Sequence, residues 1–379
     1  MAVSVVTSPD SVSNVRNPII FIINSNAVGV VEIQLKLYYN NFNEVSGTEL
    51  VTLRAPVDSN GDALFYIERY LRDILTHQLP DLSIDTAQPL LGGAKQFSID
   101  YSEFVDGVAG GTGGTSEFVV VLAGFAFWLF PGKATELPRG FLASNKPQTR
   151  YMPTNVPDWI YIFSPIYSAA NGLGVDYTIY YTDLTTDVIS ETYPDVLDDP
   201  INEYQVVAFP IGWQQKQYET LNPAKTIDYI EVAISTLPVI TLRAYETEPW
   251  YQRAFYYFSR TTGGLESVFL RGEQSETIVN DKTKSPRLLP YNYTSDFAQI
   301  KTDYNVPRQR YKASTGIMDE DTFNAVKEML MLESGFVLLD EKLVAINFLT
   351  DTKELPSDND TMHGFEIEYE LAHYTAGLA

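Results

Sequence analysis

Cysteine is absent from the chain. That absence removes disulfides, thiolate metal sites and cysteine nucleophiles together, and it suits synthesis in a reducing cytosol. Histidine is scarce, at three in 379 residues. His77, His363 and His373 lie far apart, without the paired helical spacing of a zinc hydrolase. Basic residues are few as well: 26 Lys plus Arg face 49 Asp plus Glu, for a net charge of −23. A nucleic-acid binder clusters cations to neutralise phosphates. No such cluster occurs in the sequence, and the acidity discourages contact with anionic membranes. The longest apolar run, Phe118 to Phe130, has 13 residues, against about 20 for a membrane span. It reads as a buried strand interrupted at Gly124. Met1 to Pro9 lacks the basic-then-apolar pattern of a secretory leader.

Aromatic residues are plentiful, with 25 Tyr and 20 Phe. Tyr favours strands and interfaces, because its ring buries while its hydroxyl stays wet. Two strands are expected in Pro18 to Leu37, one in Glu49 to Val57, and another through Ile84 to Phe104. From Trp159 to Tyr245 strand alternates with turn, as in a sandwich. Phe255 to Arg271 reads as a hairpin turning at Gly263-Gly264. Two helices are expected. The first lies in Ala63 to Leu79, on the spacing of Ile67, Tyr70, Leu71 and Ile74, with His77 near its cation-favouring end. The second is capped by Asp319 or Asp321, carries Phe323, Val326 and Leu330, and stops at Gly335. The final strand alternates Phe365, Ile367, Tyr369 and Leu371 with Glu366, Glu368 and Glu370. The expected fold is mainly β: a multi-domain β-sandwich or barrel chain with two short helices. Its segments are 1–145, β-rich with one helix; 146–250, a sandwich; and 251–379, α+β.

Candidate chemistry is sparse, and each case has a structural reading. Asp58-Ser59-Asn60-Gly61-Asp62 opens like a calcium loop, but the sixth and twelfth places hold Ala63 and Arg69 instead of Gly and Glu. An Asn-Gly turn leading into the helix explains the same residues without metal. Asp195, Asp198, Asp199 and Glu203 surround two prolines and read as acidic turns. A two-carboxylate hydrolase would need two such groups to converge in a cleft. The Gly-rich stretch Gly107 to Gly114 has no Lys and no following helix, so it reads as a mobile loop and not as a phosphate cradle. No Gly-x-Ser-x-Gly elbow occurs. No catalytic, cofactor-binding or metal residue is therefore assigned, and no enzyme activity is expected.

Several passages taken in order carry a resemblance. They are Ser8-Pro9-Asp10 with Asn17-Pro18-Ile19-Ile20-Phe21, the Asn60-Gly61 turn with its following elements, and Phe255-Tyr256-Tyr257-Phe258 leading to Gly263-Gly264-Leu265-Glu266, Phe269 and Gly272. The last is the closing helix and strands ending in Glu366-Ile367-Glu368-Tyr369. Together they resemble virion structural proteins of tailed bacteriophages that infect Bacteroidetes, of the tail or baseplate kind. The resemblance implies a β-rich, disulfide-free subunit assembled in the host cytoplasm into the virion. It implies contacts with its own copies in a ring, distal-tail-like, and with other virion proteins. The alternative is an adhesin or carbohydrate-binding β-sandwich. In that case Trp159, Trp213 and Trp250 are candidate sugar platforms, although each also suits a core.

Overall fold

A computed structural model describes residues 3–9, 12–15, 18–29, 31–40, 47–90, 92–121, 141–142, 148–164, 174–192, 205–234, 239–244, 253–259, 263–286, 300–317, 320, 323, 327–332, 334–349 and 364–372. The chain is mainly β and divides into two compact units. One is Met1–Tyr245 with Phe258–Glu266; the other is Glu246–Tyr257 with Ser267–Ala379. The expected boundary at 145/146 lies outside the described residues.

The first unit begins with β1 (Val3–Thr7), β2 (Val12–Asn14), β3 (Ile20–Ser25), β4 (Val31–Asn40), β5 (Thr48–Pro56), β6 (Asp62–Tyr66), helix α1 (Glu68–Arg72), β7 (Gln88–Leu90), β8 (Ala94–Val105) and β9 (Val108–Val121). Two sheets, β1-β3-β6 and β2-β9-β8-β4-β5, enclose one core. The alternation is legible residue by residue. Val31, Ile33, Leu35 and Leu37 are buried in β4, while Glu32 is exposed between them. Phe21 of one sheet meets Phe118 of the other edge-on at 5.6 Å, and Phe97 stacks on Phe118 at 6.0 Å. Each such ring contributes about 1.5–3 kcal/mol on burial. These two facing sheets form a β-sandwich.

Helix α1 is shorter than the spacing predicts. Asp62–Tyr66 is strand β6, paired antiparallel with β3, and only Glu68–Arg72 is helical. Ala63 and Phe65 point inward while Leu64 and Tyr66 are exposed, a period of two. Pairing with β3 satisfies that backbone in the sheet, and so short a helical segment has little stability of its own. Of the predicted stripe, Ile67 and Leu71 are buried, while Tyr70 and Ile74 are half-buried and Ile74 lies beyond the helix.

The Gly-rich stretch is not a loop. It is the start of β9, joined to β8 by a tight turn in which Asp106 and Gly107 both have positive φ, 51° and 81°. Gly110 and Gly113 serve cross-strand neighbours. A Cβ at Gly113 would sit 1.8 Å from the Tyr101 ring, and one at Gly110 would sit 2.8 Å from Glu103 Cγ. The two glycines let the longer side chains of β8 lie across the strand beside them.

The unit continues with β10 (Phe141–Leu142), β11 (Thr149–Met152), β12 (Trp159–Ser164), β13 (Gly174–Tyr181), β14 (Thr186–Thr192), β15 (Gln205–Pro210), helix α2 (Tyr218–Leu221), β16 (Ile227–Ile234) and β17 (Ile240–Ala244). They form the sheets β10-β12-β15-β7 and β11-β17-β16-β13-β14. Strand β7, although it comes between α1 and β8, pairs with β15 of this second set through Gln88↔Ala208 to Leu90↔Val206. Tyr177 Oη of β13 donates to the carbonyl of Pro210 in β15 at 3.0 Å, joining the two sheets. Helix α2 was not predicted from sequence. It follows Gln217, which is left-handed at φ 52°.

The second unit is built on a seven-stranded sheet, β19-β18-β22-β23-β24-β21-β20. Its strands are β18 (Arg253–Phe258), β19 (Leu265–Leu270), β20 (Gln274–Pro286), β21 (Ile300–Ser314), β22 (Ser334–Leu339), β23 (Lys342–Phe348) and β24 (Glu366–Leu371). The ends of β18 and β19 that meet the Gly263-Gly264 turn belong to the first unit. Tyr369 sits edge-on to Phe255 at 5.1 Å and stacks on Tyr311 at 5.1 Å. In β24, Ile367 and Tyr369 are buried and Glu366 and Glu368 exposed, as the alternation predicts.

The second expected helix is modified. Glu320 and Phe323 have helical backbone, and Lys327–Met331 is a 3-10 turn with Met329 buried. Gly335 does not end it. Gly335 lies in β22, where its missing Cβ leaves room for the Tyr256 carbonyl. Asp319, Asp321 and Val326 lie outside the described residues.

Strands β20 and β21 run past the sheet that carries them. Strand β24 pairs with β21 only over Arg310 to Ser314. From Ile278↔Gln309 to Pro286↔Ile300, β20 and β21 pair with each other alone among the described strands. At about 3.3 Å per residue the free stretch is about 30 Å long.

Candidate functional site

Of the acidic residues singled out by sequence, Asp58 and Asp62 are occupied by a turn. Asp58 Oδ1 accepts the amide hydrogens of Asn60 at 2.8 Å and Asp62 at 2.9 Å. Asn24 Nδ2 donates to Asp62 Oδ1 at 2.8 Å. The Asp62 and Asn60 amides hold the Asp58 carboxyl below its ordinary range. Two further turns repeat the device. Asp81 accepts from the Ser83 hydroxyl and amide, and Asp183 from those of Thr185. Both carboxyls are held low for the same reason. Asp195, Asp198, Asp199, Glu203, His363, His373 and Trp250 lie outside the described residues.

Glu103 is a different case, because it is wholly buried. Ser25 Oγ donates to its Oε2 at 2.6 Å, and the Gly111 amide donates to its Oε1 at 3.0 Å. The Ser25 hydroxyl first, and then the Gly111 amide, pull its carboxyl below the usual range against the cost of burial. This carboxylate joins β3, β8 and β9.

A second buried group gathers in the other half of the first unit. Lys216 Nζ pairs with Glu191 Oε1 and donates to the carbonyl of Asp85 at 2.7 Å. Its ammonium lies 4.9 Å over the Tyr177 ring. Tyr177 Oη is 3.2 Å from Glu191 Oε2. Tyr218 packs 6.1 Å from Tyr177, and Trp213 meets Tyr218 edge-on at 6.0 Å. Burial lifts both tyrosine hydroxyls well above their ordinary value, with Glu191 adding to the shift. Arg150, Asp158 and Glu266 are buried as well. Burial lowers the Arg150 pKa, and the two carboxylates oppose that shift. These groups act as internal cross-links between strands.

His77 stacks on Phe258 at 4.2 Å. With Thr76, Leu90, Tyr161 and Val206 it lines a cavity of about 20 Å³, room for a single water. The expected helix-end position is not realised, since α1 ends at Arg72. Trp159 and Trp213 are buried, so neither presents a face to a sugar. No helix among the described residues is long and apolar enough to cross a membrane.

The chain matches no protein-family model and no curated protein. Among solved structures it is similar to the calcium-binding domain CBD12 of CALX1.1, at 8% identity and a TM-score of 0.21, over 65% of this chain and 83% of that one. Chicken CNTN1 FN1–FN3 domains give 8% identity and a TM-score of 0.17, over 62% and 64%. CBD12 of CALX1.2 gives 8% and 0.18, over 62% and 79%. Likenesses this low carry no argument about fold, ligand or function.

Proposed function

We propose that this β-sandwich protein is a non-enzymatic structural subunit of a tailed-phage virion. In this reading it is a ring-forming tail or baseplate component, distal-tail-like, assembled in the host cytoplasm with its own copies and other virion proteins. The observation that carries the reading is the β20–β21 ribbon, about 30 Å of strand that among the described strands is paired only within itself. A two-stranded ribbon is marginally stable alone in water, and its exposed edges favour pairing or packing with another chain. The sugar-binding alternative needs exposed aromatic platforms, and Trp159 and Trp213 are in the core.

Light scattering on the purified full chain over a range of concentrations tests the proposal. A closed oligomer is expected. A monomer at every concentration would count against a self-assembling subunit.

A further inference from the structure

We propose that the β20–β21 ribbon is a docking arm that seats on the acidic surface of a second copy of this chain. The inference rests on the self-assembly reading above and names its contact surface.

The first argument is register. Gln274 pairs with Ala313, Glu276 with Tyr311 and Ile278 with Gln309. Side chains alternate with a period of two, so these residues share one face of the sheet. Ala313 is buried on that face and Tyr311 stacks on Tyr369. The arm therefore prolongs the core-facing side of the sheet beyond the core. Ile278 stands there 58% exposed, and Ile300, near the far end of the ribbon, is 61% exposed. Both are residues that a sheet normally buries.

The second argument is charge. The whole chain carries 26 basic and 49 acidic residues. The arm segments 278–286 and 300–309 reverse that balance, with four basic residues (Lys282, Lys284, Lys301, Arg308) and two acidic ones (Asp281, Asp303), although Arg308 already pairs with Glu370 of β24 at 3.5 Å. Lys282 and Lys284 are exposed, and they alternate in β20 in step with Ile278. Exposed isoleucines at the two ends of the arm, with Lys282 and Lys284 between them, on an otherwise acidic molecule are complementary to that molecule's own surface. Charge complementarity of this kind steers encounter and fixes register, while the two isoleucines add apolar contact at either end.

The test uses the full chain and two kinds of variant. Lys282→Glu with Lys284→Glu places like charge against an acidic partner. It is expected to weaken self-association at least about tenfold at 0.15 M ionic strength. Ile278→Ser is expected to weaken it without changing its salt dependence. Circular dichroism and melting of each variant confirm folding. As a check that needs no loss of function, a photoreactive phenylalanine analogue at position 278 is introduced into a mixture of isotopically light and heavy chains. Mixed light–heavy cross-links to Asp- or Glu-rich peptides are expected. Cross-links confined to one chain, or an oligomer unchanged by all three substitutions, would overturn the arm's role and leave self-assembly standing. A wild-type chain that is monomeric throughout overturns both.

Discussion

Glu103→Gln removes a single negative charge from the first sandwich and changes almost nothing in size. The carboxylate accepts from Ser25 Oγ and from the Gly111 amide. A hydrogen bond to a charged group contributes about 1.5–3 kcal/mol, against about 0.5–1.5 for a neutral one. The amide keeps one acceptor oxygen but turns an NH₂ group toward the other donor. The expected loss is therefore about 2–3 kcal/mol, a reduction of about 30–150-fold in local protection. The pH dependence carries the sharper test. The native carboxyl is held below its ordinary value. Its stabilisation is thus fully present above the unfolded pKa of about 4.3, and fades as pH falls through the lower folded value. Once wild-type Glu103 is protonated it resembles Gln, so the two proteins should converge in acid. Because the chain has two units, a single global melt would mix their transitions. Hydrogen exchange of peptides covering Ser25 and Gly111, corrected for intrinsic rates, reads the site alone. A deficit as large at pH 3 as at pH 7, or none at pH 7, would refute the reasoning.

Other substitutions separate satisfied from unsatisfied groups. Tyr218 Oη is buried and meets no hydrogen-bond partner among the described residues. Tyr218→Phe should therefore be neutral or slightly stabilising in urea titrations, whereas Tyr177→Phe, which loses the bond to Pro210, should cost about 1 kcal/mol. Lys216→Met leaves Glu191 without its buried cation and should destabilise the first unit by about 3–5 kcal/mol, measured by the intrinsic fluorescence of buried Trp213. Gly113→Ala forces the Tyr101 ring aside and should cost about 1–3 kcal/mol in melting experiments, while Gly107→Asn at the open turn should cost much less. In alkali, stability of the first unit should hold up to about pH 10 and decline above it, because the unfolded chain ionises Tyr177 and Tyr218 while burial keeps them neutral in the fold. Tyr177→Phe should flatten that decline.

The strands were legible because a period of two survives in β4 and β24 without tertiary help. Helix α1 was over-extended because Ala63 to Tyr66 satisfies a helical stripe and a strand alternation equally, and only the distant partner β3 decides between them. The Gly107–Gly114 stretch looked like a loop for a similar reason. What demands glycine there is the reach of Tyr101 and Glu103 from the neighbouring strand, which composition does not display. The acidic turns were readable from Asp58 to Asp62, since an Asp bonding to amides two residues on is a local event. The Lys216–Glu191 pair was not, because 25 residues separate partners that no motif links. The arm left only a trace. Where β24 stops is a fact of pairing and not of β20 or β21.

Strand β7 also sets a clock. On a ribosome its residues, Gln88 to Leu90, emerge well before their partners Val206 to Ala208 in β15. At about 5–20 residues per second the interval is of order 6–24 s. During that time β8 and β9 can already close the first sandwich, while the tether between α1 and β8 hangs unpaired. A nascent chain stalled before β15 would thus carry a finished sandwich and a single waiting strand, open to any exposed sheet edge nearby. Slow codons placed between β9 and β15 should lengthen that exposure and lower the soluble yield without changing one residue of the protein.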